Sequence, residues 1–126
     1  MSLWMTLTLS MTGLLSCATE SIDWTGEWRG TASWIVDGEP REVPLRLELS
    51  QNGADIGGTI LWGDYRRAVT SASARGPEVE IESSMTTDRV RFKGLFRNDA
   101  LEGRFFIQYA GDPEPFPGSF TVERER

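Results

Sequence analysis

The chain has 126 residues, 13 lysines and arginines against 19 aspartates and glutamates, no histidine and a single cysteine. That length makes one domain, the missing histidine removes imidazole bases and histidine-ligated metal, and a lone cysteine forms neither an internal disulfide nor a thiolate zinc cage. A net charge of −6 disfavours nucleic acid, whose phosphates need a basic face, so the expectation is a non-catalytic protein with no metal or other cofactor.

Before Glu20 the only ionisable side chain is the Cys17 thiol. The opening run of Leu, Met, Trp, Thr, Ser and Gly is shorter than the roughly 20 residues a spanning helix needs, and it reads as an export signal. It lacks the basic residue such signals normally carry at their start, which leaves the start codon open. Its end, Leu14-Leu15-Ser16-Cys17, resembles the lipobox of bacterial lipoproteins. The resemblance implies cleavage before Cys17, a diacylglycerol on its sulfur and acylation of the new amino group, and two or three acyl chains suffice for stable anchoring. Ala18, rather than Asp, after the cysteine resembles the enteric sorting signal for the outer membrane. The expected division is a signal peptide over residues 1–16, a lipidated linker over 17–23 and a β-barrel domain over 24–126. The protein would then sit in the bacterial envelope, at the outer membrane facing the periplasm. In the competing reading, residues 1–16 form a buried first strand and Cys17 is a small core residue.

From residue 24 onward apolar and polar positions alternate. Trp24, Gly26, Trp28, Gly30, Ala32, Trp34 and Val36 face one way and Thr25, Glu27, Arg29, Thr31, Ser33 and Ile35 the other, the period-two pattern of a half-buried strand broken only by Ile35. Asp37-Gly38-Glu39-Pro40 reads as a turn, followed by a strand with Val43, Leu45, Leu47 and Leu49 inward and Pro44 marking an edge or bulge. Asn52-Gly53 signals a hairpin into Ile56, Gly58, Ile60 and Trp62. Gly63-Asp64 leads to a weaker strand over 65–74. After Arg75-Gly76-Pro77, Val79 and Ile81 alternate with Glu78, Glu80 and Glu82, and then Val90 and Phe92 alternate with Arg89, Arg91 and Lys93. These opposite charges suit an exposed antiparallel pair. Asn98-Asp99 turns into Leu101, Gly103, Phe105, Ile107 and Tyr109. A proline-rich loop over 112–117 precedes a last strand with Phe120 and Val122 inward. The pattern predicts an all-β, antiparallel, up-and-down eight-stranded barrel. Glycine recurs two residues before a large apolar side chain at Gly26, Gly58, Gly94, Gly103 and Gly118, as in strands that coil at barrel corners.

Gly26-Glu27-Trp28 at the start of the first strand, with Arg124 closing the last, resembles the calycin pattern of lipocalins, fatty-acid-binding proteins and avidins. The resemblance implies that Gly26, Trp28 and Arg124 close one end of the barrel, with the guanidinium across the indole ring. Arg126 is an alternative cation and Trp24 an alternative ring. No branch of that group fits. Gly30 stands where biotin binders carry Asn, only residues 37–40 intervene where fatty-acid-binding proteins insert a helix pair, and the C-terminal helix of secreted lipocalins is missing.

No inward position is charged, and an eight-stranded barrel is either just filled by side chains or holds one small ligand. Both outcomes stay open at this point. A cavity would be lined by Trp34, Trp62, Phe92, Phe105 and Tyr109, with Tyr109 as the polar handle for an acyl chain or hydrophobic small molecule. Glu78, Glu80 and Glu82 alternate outward and do not form a glycosidase pair. Asp112 and Glu114 fall short of the oxygen count calcium requires. Phe116 belongs under the barrel mouth or against a partner, and Arg66-Arg67 is too short to recruit nucleic acid. Two functions are therefore expected. One is a membrane-anchored lipocalin-like carrier of a hydrophobic molecule or lipid. The other is an envelope-accessory or protein-interaction lipoprotein with a packed core. In either case membrane lipid would be met through Cys17, and the protein partner is unidentified.

Overall fold

A computed structural model describes residues 22–125. The signal, the linker cysteine Cys17 and the alternative cation Arg126 lie outside the described residues. Nine strands follow one another: β1 (Gly26–Val36), β2 (Glu39–Asn52), β3 (Asp55–Trp62), β4 (Tyr65–Ala68), β5 (Ser71–Arg75), β6 (Glu78–Ser84), β7 (Asp88–Arg97), β8 (Ala100–Tyr109) and β9 (Phe116–Arg124). They form one antiparallel sheet in the order β4-β3-β2-β1-β9-β8-β7-β6-β5, so every neighbour is sequential except β1 against β9. The sheet is up-and-down and curls into a barrel-like shape.

Short turns set this register. Asp37-Gly38 and Asn98-Asp99 have positive φ at both central positions (51° and 80°; 55° and 64°), whose backbone twist matches that of the flanking strands. The Asn-Gly hairpin forms one residue later than its sequence suggests: Asn52 pairs with Asp55, and Gly53-Ala54 makes the loop. Proline and strand ends account for a second difference. Pro44 does not lie at a sheet edge, because β2 runs between β1 and β3. Its carbonyl accepts from the Gly63 N–H at 3.0 Å, so its ring nitrogen, on the same side, faces the tip of β3 where the ladder has ended at Leu45 and Trp62. A missing donor costs nothing there.

The sequence predicts one strand over 65–74, and the structure has two. The Val69 N–H still bonds to Gly58 on the β3 side at 2.9 Å, whereas the Thr70 N–H bonds to Glu82 of β6 at 2.8 Å. The Thr70 hydroxyl also bonds to the Glu82 carbonyl and accepts from the Ser84 N–H. The chain thus leaves one edge of the sheet and joins the other within two residues, which is how the sheet's two ends come together. Below this point β3 and β5 do not pair among the described residues.

The inward alternation produces the core. Trp28, Leu45, Leu47, Ile60, Ile81, Phe92, Leu101, Phe105 and Val122 are all essentially inaccessible, with Trp24 joining them from just before β1. Two glycines show why side chains are excluded at particular points. Gly58 has φ +139°, and a Cβ there would lie 1.9 Å from the Glu48 carbonyl oxygen of β2; at Gly118 it would lie 2.0 Å from the Phe105 ring. The outer face carries the charge. Arg91 Nε lies 3.6 Å from Glu80 and 3.5 Å from Glu82, and Arg29 links Glu27 at 3.0 Å to Glu125 at 2.9 Å.

Candidate functional site

The two ends of the barrel differ in chemistry, and strand direction assigns residues to each. β1 starts at one end with Gly26, and β9 finishes there with Arg124; Trp28 and Arg124 are register partners. The Arg124 guanidinium carbon lies 4.5 Å from the centroid of Trp28 and 5.9 Å from that of Phe96, and its Nη2 donates to the Asp23 carbonyl at 2.7 Å. Trp28 Nε1 donates to the Trp24 carbonyl at 3.1 Å, and the Trp24 N–H donates to Gln51 Oε1 at 2.9 Å. Trp24, Trp28 and Phe96 form a triangle of rings with centroids 5.6–5.9 Å apart. Trp24, the alternative ring for the arginine, instead supports Trp28 from beside it. Gly26, at φ +141°, lets the chain swing from Trp24 into β1. The Asp23 carboxyl accepts from the Thr25 N–H at 3.0 Å. That backbone bond and then a side-chain bond from Thr25 hold its pKa below the ordinary 3.8; desolvation opposes them, and the Arg124 charge is the smallest contribution.

The barrel interior brings four of the five candidate ligand-binding residues together, in contact with one another. Trp34 and Trp62 stack with centroids 5.8 Å apart, and Phe105 stands edge-on to Trp62 at 4.9 Å. Phe92 meets Trp62 at 5.9 Å and Phe105 at 6.0 Å, and Phe120 closes on Phe92 at 5.2 Å. The backbone contributes to the same filling, since the Phe105 ring lies directly on Gly118, and Leu101 and Phe120 crowd Gly94. Phe116 stands edge-on to Trp34 at 6.3 Å, half-buried at the open end.

Tyr109, the fifth candidate, is 49% exposed and does not reach this cluster as a polar handle. It shares the inward face of β8 with Phe105 and Ile107, but it is the last residue of the strand, beyond the height at which the interior is covered. Sequence reasoning missed a polar group that is inside. Arg67 lies opposite Ile60 on β4, and its guanidinium reaches across to β6 and β7. Nε donates to Ser83 Oγ at 3.0 Å, and Nη2 donates to the Ser83 carbonyl at 3.1 Å and to Asp88 Oδ1 at 2.5 Å. Ser83 Oγ in turn donates to the Ala68 carbonyl at 2.6 Å. With side chains only 13% and 18% exposed, Arg67 and Asp88 tie the short strand β4 across the bend to β6 and β7.

A concavity of about 730 Å³ lies elsewhere, on the outer face of β5 to β8, where Glu78, Glu80, Lys93, Glu102, Arg104 and Phe106 line it. It is open and charged, with Arg104 5.7 Å from the centroid of Phe106. Asp112 caps the N–H of Glu114 at 3.1 Å, and among the described residues no group of three or more histidine, cysteine or acidic side chains gathers as a metal site would require. No described helix is long and apolar enough to cross a membrane. The chain matches no protein-family model, and no curated protein aligns with it at a significant level.

Proposed function

We propose that the protein is a non-catalytic lipoprotein of the bacterial envelope, held at the outer membrane through acylated Cys17, whose lipocalin-like barrel is a solid scaffold and whose work is done by its surface in contact with another protein. The observation that carries the choice between scaffold and carrier is the mutual contact of Trp34, Trp62, Phe92 and Phe105, which occupy the volume a carrier would leave for its ligand. Specific ligand pockets are commonly about 300 Å³ or larger, lined by groups that do not fill one another's space.

A second reading has its own support. Trp34 and Trp62 are half-buried rather than fully covered, so an acyl chain or hydrophobic molecule entering at the open end would meet them first. Native mass spectrometry of the protein purified without its anchor separates the two. A ligand-free spectrum supports the scaffold, whereas a co-purifying acyl species that disappears in Trp34→Ala establishes the carrier. The anchor is tested separately: Cys17→Ala should release the protein from the membrane fraction, and unchanged fractionation refutes lipidation.

A further inference from the structure

Four large hydrophobic residues are exposed among the described residues: Ile35 at 68%, Tyr65 at 76%, Met85 at 57% and Tyr109 at 49%. All four lie at the same end of the barrel, one at each of its four connections. Ile35 precedes the β1–β2 turn, Tyr65 follows the β3–β4 turn, Met85 lies in the β6–β7 loop and Tyr109 ends β8. Beneath them are the half-buried rings of Trp34, Trp62 and Phe116. The opposite end, closed by Trp28 and Arg124, exposes no large apolar side chain among the described residues. Scattered exposed apolar residues are ordinary; their collection on one end of a small domain marks an interaction surface.

The charge at this end is also uneven. Exposed Asp37, Glu39, Glu42, Asp64, Asp112 and Glu114 surround the apolar side chains, against exposed Arg41, Arg66 and Arg89. None of these nine takes part in an ion pair among the described residues, whereas several carboxylates of the barrel wall do, as in Glu80 and Glu82 with Arg91 and Glu102 with Arg97. We propose that the open end is a docking surface for a polypeptide that presents lysine or arginine beside apolar side chains. The proposal rests on the scaffold reading above and gives it a location and a partner chemistry. Complementary charge selects this occupant. An anionic bilayer would be repelled by the excess of carboxylates over arginines at this end, and a second copy of this chain would bring the same excess face to face.

The test uses the soluble domain and synthetic peptides of alternating leucine and arginine, leucine and glutamine, or leucine and glutamate, together with phosphatidylglycerol vesicles. The Leu-Arg peptide should bind, the others and the vesicles at least tenfold more weakly. Tyr65→Ser/Tyr109→Ser should lose at least tenfold in affinity for it. Asp64→Asn/Asp112→Asn/Glu114→Gln should lose affinity and show a shallower salt dependence, while Glu78→Gln/Glu80→Gln on the barrel wall should leave binding unchanged. Absence of Leu-Arg binding, equal binding of Leu-Gln, vesicle binding of equal strength, or equal loss in the wall variant overturns the proposal. Photo-crosslinkers placed in cells at positions 65 and 109 and, for comparison, at 80 and 104 distinguish the two levels of failure. Partner adducts from the wall positions alone overturn the open-end site and leave the scaffold reading standing. Adducts from no position overturn the open-end site, and an acyl ligand seen by mass spectrometry in addition overturns the scaffold reading as well.

Discussion

Phe105→Ala tests the filled interior most directly. Phe105 is completely inaccessible, its ring lies against Trp62, Phe92 and Trp34, and it rests on the bare backbone of Gly118. Truncation removes a buried phenyl group and leaves a hole that its neighbours cannot close, because Trp62 is already stacked on Trp34 and Phe92 already abuts Phe120. For a site of this kind the loss is about 4 kcal/mol, within the range measured when core aromatic residues are cut to alanine. Against a total stability of roughly 5–15 kcal/mol for a domain, that is a large fraction. Phe105→Leu keeps most of the apolar volume and should cost about 1–2 kcal/mol. Urea unfolding followed by tryptophan fluorescence reports the difference as a shift in midpoint at constant slope. Benzene, which enters dry engineered cavities, should recover part of the loss in the alanine variant and none in the wild type. A loss under about 1 kcal/mol, or stabilisation of the wild type by benzene, would refute the packed interior and favour the carrier.

The remaining predictions concern the two polar clusters. Arg124→Ala should cost about 1–2 kcal/mol by thermal or urea unfolding, from the lost cation–π contact with Trp28 and the bond to the Asp23 carbonyl, and Arg124→Lys should recover only part of it. The Asp23 carboxyl titrates below 3.8, so its contribution is complete above that pH and is lost as pH falls through the lowered folded-state value. Melts of the wild type and Asp23→Asn should therefore differ at pH 6 and converge toward pH 2. At the bend, Arg67→Met or Asp88→Leu alone leaves one mostly buried charge unpaired and should cost about 2–4 kcal/mol, while the double variant should lose less than the sum of the two.

Much of the fold is legible in the alternation. In β1 each even residue from Trp28 to Trp34 turns inward because side-chain direction has period two, and turn pairs such as Asn98-Asp99 tolerate the positive φ that tight hairpins need. Parity gives a face, however, and not a height along the barrel. Tyr109 has the parity of Phe105 but lies two inward positions further toward the end, where half of it stays exposed. Arg67 has the parity of Val69, yet a short segment rich in Arg, Ser and Ala gives no reason to place a cation inside. Its reason lies in Ser83 and Asp88, which follow Ile81 and precede Val90 on strands far along the chain. Whether Trp34, Trp62, Phe92 and Phe105 line a space or fill it is a matter of ring separations of 5–6 Å, which composition does not encode.

The two ends also differ in their distance from the proposed anchor. The chain enters at the closed end, where Asp23 and Trp24 are pinned by Arg124, Trp28 and Gln51. Five residues separate Cys17 from Asp23, and the six Cα–Cα steps span at most about 20 Å. With Cys17 acylated as proposed, the Trp28 end faces the bilayer at close range, and the open end is held away from it by the height of the strands. β1 alone has eleven residues, a contour of about 35 Å before tilt. The exposed apolar side chains then lie at the end away from the tether. Leaving Tyr65, Ile35, Met85 and Tyr109 in water while the lipid-proximal end is closed by a cation over a ring is the arrangement expected if the distal end is covered by a partner.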